Sequence, residues 1–154
     1  MEKSPIQPTD DEARALAKSL MSDANFAALG VLADDGSPHV TRIGVGWTPA
    51  GVTGLISSLA YHHGALMRSP DCSLLLGEPP DKGDPLAFAR LTLQARAEII
   101  EKSADIRDAY LATHPKAKLY VDFADFNFVR FVPRSGALNG GFGKAYVLSA
   151  DDLI

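Results

Sequence analysis

The sequence predicts a mainly β domain with α elements (α+β): a small antiparallel β-barrel of six to seven strands with short flanking helices. Three observations carry this prediction. Apolar runs of strand length recur between turn-forming residues, beginning with NFAALGVLA (25–33), which Asp34-Asp35-Gly36 closes. The stretch Leu86 to Ile100 alternates, with Leu91, Leu93, Ala95 and Ala97 set against Arg90, Thr92, Gln94, Arg96 and Glu98. Helical spacing is confined to short segments.

Taken in order, residues 1–8 are polar with two prolines and read as a loose tail, and residues 9–154 as one domain. Thr9-Asp10-Asp11-Glu12 offers a capping box, after which Ala13, Leu16, Ala17, Leu20 and Met21 predict a helix over about 10–22. The run 25–33 and its return from His39 to Trp47 form a hairpin. Thr48-Pro49-Ala50-Gly51 makes a second turn, and Val52 to Ser58 a third strand in meander order. Residues 60–69 suit a short helix that Pro70 stops, and CSLLLG (72–77) a buried strand. The segment EPPDKGDP (78–85) is an exposed connection. Ser103 to Thr113 follows as a helix capped by Ser103, with Ile106, Ala109, Tyr110 and Leu111 as its apolar side; a second short helix starts at Pro115. Alternation returns in VDFADFNFVRFVP, NGGFGKA turns the chain, and Ala145 to Leu148 closes the sheet.

Composition excludes several functions. With 154 residues and 46% hydrophobic content the chain forms one core. A net charge of -4 provides no basic excess for nucleic acid or an anionic membrane surface. Cys72 stands alone, which rules out an internal disulfide and predicts a small apolar residue packed in a reducing compartment. There is no signal-like apolar segment, so the expected location is cytoplasmic.

The most informative stretch is SSLAYHHGALMRSP (57–70). A polar, His-bearing loop between a strand end and a helix start gathers backbone N–H groups and side-chain donors, which suits a phosphate. Adjacent imidazoles rarely converge on one metal ion, so no metal is expected there. His39 and His114 read as structural, and Phe123, Phe126, Phe128 and Phe131 as packing. Ser57 and Ser58 lack a His-Asp arrangement, which argues against a hydrolase.

Four segments together, TRIGVGW (41–47), SSLAYHHGALMRSP (57–70), DPLAFARLTLQARAE (84–98) and HPKAKLYVDFADFNFVRF with NGGFGKA (114–145), carry a family resemblance. The chain resembles the FMN-binding split-barrel superfamily of pyridoxamine 5'-phosphate oxidase-like proteins, and within it the haem-utilisation branch, without that branch's additional C-terminal domain. The resemblance implies a split barrel that binds FMN at the interface of a homodimer, with haem as the alternative ligand. It also implies site residues: Arg42 on the flavin phosphate; Ile43, Gly44, Val45 and Gly46 beneath the isoalloxazine ring; Ile56, Ser57 and Ser58 at its edge; His62 and His63 in place of the family's Arg-Lys phosphate pair; and Arg90 at a flavin-contacting position. Two imidazoles are only partly charged at neutral pH, so phosphate affinity should depend on pH more than with Arg-Lys. Trp47 stands where the true oxidases have a Lys, and their Arg-x-His substrate motif is absent, which argues against pyridoxamine phosphate as substrate. The main functional expectation is an FMN-dependent oxidoreductase of unknown substrate. The alternative is a haem- or flavin-binding module without flavin turnover. Without the resemblance, Arg42 reads as a strand residue paired with a carboxylate.

Overall fold

The computed structural model describes residues 4–154. The chain begins with a two-residue strand β1 (Ile6–Gln7) and helix α1 (Asp11–Asp23), followed by β2 (Phe26–Leu32), β3 (Pro38–Thr48) and β4 (Gly51–Ser57). Helix α2 (Tyr61–Arg68) and β5 (Asp71–Leu76) come next, then β6 (Arg90–Ile100) and α3 (Ala104–Thr113). The long strand β7 (Phe126–Asn139) and β8 (Ala145–Ser149) complete the sheet.

Strands run in the order β7-β4-β3-β2-β5-β6, and β6 pairs again with β7, closing a six-stranded antiparallel barrel. Beyond the barrel, β8 adds to β7, and β1 pairs parallel to β8 through Ile6↔Ala145 and Gln7↔Tyr146. The barrel therefore agrees with the predicted fold, whereas the predicted loose tail needs correction. Its residues 6 and 7 are a strand, tied down further by the Thr9 hydroxyl donating to the Val147 carbonyl at 2.8 Å. Residues 1–3 of that tail lie outside the described residues.

Other boundaries shift for local reasons. The cap of α1 is Asp10 rather than Thr9: the Asp10 carboxylate accepts from the Ala13 N–H at 2.8 Å, leaving Thr9 for β8. Ser103 occupies the cap position of α3, but its hydroxyl bonds the Asp105 carboxylate, which itself accepts from the Ile106 N–H. The strand predicted from Leu86 starts only at Arg90, because Asp84 caps a tight 3-10 turn over Pro85–Ala87. Strand β7 is longer than the sequence suggested, since a bulge opposite Gln94/Ala95 accommodates Pro133, which has no N–H for the ladder. Arg134, at that bulge, reaches Asp71 of β5 at 2.6 Å.

Alternation decides the faces. Ala27, Leu29 and Val31 of β2, Ile43 and Val45 of β3, and Leu91, Leu93, Ala95 and Ala97 of β6 point inward and are buried. Helix α1 covers one side of this core with Ala13, Ala17 and Met21. A second, smaller cluster lies on the outside, where Ile106 and Tyr110 of α3 and Val121 pack against Leu55 and Phe128. Of the four phenylalanines predicted to pack, Phe128 and Phe131 are buried, but Phe123 is 55% exposed and meets Phe126 only edge-on.

Cys72 is buried on β5, and desolvation pushes its thiol up to about 12. Native protein at pH 8 should accordingly leave this thiol unmodified by an aromatic disulfide reagent, and urea should release one equivalent. Rapid labelling of the native protein would show that the strand opens locally.

Candidate functional site

The expected site residues separate into four places on one chain. Register fixes the first. Ala28 pairs with Arg42 and with Leu75, so these side chains share the outer face of the barrel. Arg42 lies over the Phe26 ring at 5.6 Å and is not ion-paired among the described residues. It borders a shallow pocket of about 260 Å³ with Phe26, Leu75, Gly77 and Glu78; none of the other expected residues lines it. A strand Arg without a carboxylate partner, resting on an aromatic face, is available to an anion.

The residues after Arg42 have structural duties. Ile43 and Val45 are in the core. Gly44 and Gly46 make room for α3: a Cβ on Gly44 would stand 2.7 Å from the Tyr110 hydroxyl, and one on Gly46 would stand 3.1 Å from the Tyr110 ring. Burial raises the pKa of Tyr110, and the ring stacks on His114 at 4.3 Å. His114 bonds the Asn25 carbonyl through Nε2 at 2.8 Å, the structural role predicted for it.

The end of β4 makes the second place. Ile56 is buried, the Ser57 hydroxyl donates to the Asp125 carboxylate at 2.6 Å, and the Ser58 N–H donates to the Asp125 backbone carbonyl at the same distance. Asp125 carries no sequence signal of its own. It becomes visible only because β4 and β7 are neighbours, with Ser57 opposite Phe126. Arg90 is the third, held at the start of β6 by the carbonyls of Leu86 and Phe88.

The fourth place is the most chemically distinctive. Helix α2 closes the mouth of the barrel beside the β2–β3 hairpin, with Ala65 and Leu66 buried and Arg68 paired to Asp34 at 2.6 Å. Its first turn carries Tyr61, His62 and His63. Tyr61 packs on His39 of β3, ring centroids 4.7 Å apart, so a histidine 23 positions from His62 in sequence joins the cluster. The pKa of His62 is lowered by partial burial, and further by the neighbouring His39 and His63. The Nε2 atom of His63 is buried and has no hydrogen-bond partner. Among the described residues no three His, Cys, Asp or Glu side chains converge as a metal-ion ligand set. His62 is thus pushed toward its neutral form, and the His63 Nε2 is uncommitted. A neutral imidazole donates a lone pair and is poor at neutralising a phosphate.

A depressed histidine pKa also has a stability signature. The unfolded chain takes up a proton near pH 6.5 and the folded His62 only below that, so stability is full above about pH 6.5 and falls as pH drops toward the lower folded value. Urea midpoints at pH 7.5 and 5.5 should drop less in His62→Gln than in wild type. Equal drops would remove His62 as the source.

No protein-family model matches the chain. Over 98 residues, 62% of this chain, it is 39% identical to the chloroplastic non-canonical heme oxygenase HOZ of Arabidopsis thaliana, but it spans only 29% of that protein's length. It is 27% identical over 143 residues to the heme oxygenase HutZ of Vibrio cholerae, covering 89% of this chain and 81% of that one. Among solved structures, a heme binding protein from Mycobacterium smegmatis superposes with a TM-score of 0.85 at 27% identity, over 96% of this chain and 61% of its own. A pyridoxinephosphate oxidase family protein from Clostridium acetobutylicum matches in fold alone, with a TM-score of 0.70 at 15% identity over 95% of this chain and 100% of its own. Among the described residues no helix is long and apolar enough to cross a membrane.

Proposed function

Since the chain belongs to the split-barrel superfamily of pyridoxamine 5'-phosphate oxidase-like proteins, in its haem-utilisation branch, we propose that it binds haem, with His62 or His63 as the iron ligand. This replaces the flavin oxidoreductase as the leading reading. The observation that carries it is the buried, unpartnered Nε2 of His63 beside a His62 whose pKa is lowered. An imidazole held neutral at pH 7 suits iron, whereas the family's Arg-Lys pair suits phosphate. The named relatives and the Mycobacterium smegmatis protein point to haem as well.

The residues present fit such a ligand in kind. Leu59, just before α2, and Tyr61, in its first turn, are large apolar side chains left exposed beside the histidines, and Arg42, on the outer face of β3 and not ion-paired among the described residues, is free for a propionate. Bound haem would supply the redox-active iron. The chain's part is to offer a neutral imidazole, to surround the porphyrin with apolar side chains and to orient its carboxylates.

Completion of the site by a second copy is part of the proposal. Phe26, Leu32, Val40 and Leu75 share the outer face of β2, β3 and β5, and each is 39–67% exposed. An apolar sheet face of this kind is suited to burial in a homodimer, which would bring Arg42 and Arg90 of one chain toward elements of its partner. Light scattering should give twice the chain mass, and Val40→Lys should shift it toward the monomer.

The deciding experiment is an absorption titration of the purified protein with haem and, separately, with FMN. A saturating Soret band near one haem per chain is the expected result; a bound-flavin spectrum with no response to haem would overturn it. Arg42→Ala distinguishes the two further. Loss of a charge-assisted contact should weaken FMN by on the order of 1.5–3 kcal/mol if Arg42 holds a phosphate, and should weaken haem less, because iron ligation remains. Adding ascorbate to the haem complex then separates storage, which preserves the Soret band, from haem breakdown, which erodes it.

A further inference from the structure

The turn NGGFGKA, between β7 and β8, places an asparagine directly before two glycines. Asn139 is the last residue of β7, and both of its ladder partners are terminal as well, Arg90 beginning β6 and Ala145 beginning β8. Gly141 has φ of 119°, a backbone state that glycine reaches without strain. Its N–H turns back and donates to the Asn139 carboxamide oxygen at 3.0 Å. The carboxamide is thereby folded over the Asn139–Gly140 peptide in an Asx turn.

This turn holds the parts of one reaction. Attack by the Gly140 nitrogen on Asn139 Cγ closes a five-membered ring, Gly140 has no side chain to hinder the closure, and the Gly141 N–H already sits on the oxygen where negative charge would develop. One contact opposes the attack, since the Gly140 N–H donates to the Lys144 carbonyl at 2.8 Å. Both of those residues lie beyond the strand ends, where hydrogen bonds open locally at little cost in free energy.

We propose that Asn139–Gly140 is a site of spontaneous deamidation, and that the aspartate it produces pairs with Arg90. The Gly140 nitrogen bonds to Asn139 Cγ and gives up its proton, the Cγ–Nδ2 bond breaks, and ammonia leaves. Water then opens the cyclic imide at either carbonyl, giving aspartate or isoaspartate with no change of oxidation state. Residues directly opposite on neighbouring strands share a face, so the aspartate carboxylate is set beside Arg90, whose guanidinium rests on the Leu86 and Phe88 carbonyls at 3.4 and 3.5 Å. The modification thus adds one negative charge and engages a cation that is not ion-paired among the described residues.

The test is peptide mapping of the intact chain held in mildly alkaline buffer. The peptide containing Asn139 should gain one mass unit and resolve into aspartate and isoaspartate forms, while Asn25 and Asn127, each followed by phenylalanine, stay unchanged. Gly140→Ala should slow the conversion several-fold and keep the turn, because its added carbon would stand 3.4 Å from Leu16 and Lys144, an ordinary contact distance. Asn139→Asp copies the product, and in it the Arg90 Nε–H resonance should shift from its wild-type position. Equal conversion of all three asparagines, conversion of Asn139 in urea but not in the folded protein, or an undiminished rate in Gly140→Ala would overturn the site. An unmoved Arg90 resonance would overturn the pairing.

Discussion

Replacing His62 and His63 together with alanine is expected to abolish the Soret band proposed for the wild-type protein with haem, lowering affinity by roughly 100-fold or more, beyond what loss of a contact outside the ligand set costs a metal site. Both imidazoles are on the first turn of α2, and the burial of Ala65 and Leu66 holds that helix in place. The substitutions remove partly buried polar side chains and leave those anchors intact, so the circular dichroism of the double variant should match wild type. His39→Ala is the informative control. Its ring packs tilted against Tyr61 and lowers the basicity of His62, so its loss should raise the pH below which haem binding fails without removing the ligand. Unchanged haem affinity in the double variant would remove the pair from the site.

The second large effect is expected at Gly77, which ends β5. Gly77→Ala should cost about 3 kcal/mol, lowering the melting temperature by about 6–12 °C for a chain of this size. Two penalties combine there. The residue has φ of 107°, which disfavours any side chain, and a Cβ would stand 2.6 Å from the Ala89 carbonyl oxygen and 3.1 Å from the Arg90 Cα. Those atoms are backbone at the start of β6 and cannot swing aside. Gly36→Ala in the β2–β3 turn separates the two penalties, since φ is 83° there but nothing lies within 4 Å of the added carbon. It should cost about 1 kcal/mol. Similar losses at both positions in urea denaturation would show that the strand junction yields.

Much of the fold was legible locally. The alternation in Leu91–Ala97 fixed which face of β6 is core, and Asp34-Asp35-Gly36 fixed the first hairpin, because side-chain parity and turn chemistry are properties of a few adjacent residues. The elements misplaced were those whose partners lie far away. Ile6–Gln7 is a strand only because β8 is beside it, 139 residues on, and Thr9 gives up its cap because the Val147 carbonyl is within reach. The polar composition of that segment cannot report a partner so distant.

For the site, residue types and distances divide in the same way. The sequence by itself predicted the barrel, singled out Arg42 and the unusual His62-His63, and carried a family resemblance that implies a planar cofactor. Tertiary structure alone decided that His39 joins the histidine pair, that Ser57 is held by Asp125, and that Gly44 and Gly46 serve helix α3. It also decided that the pKa of His62 lies below its usual value, since that pKa answers to desolvation and to neighbouring imidazoles. Motifs record which groups are present; burial and proximity, set by the closure of the barrel, determine what those groups can bind.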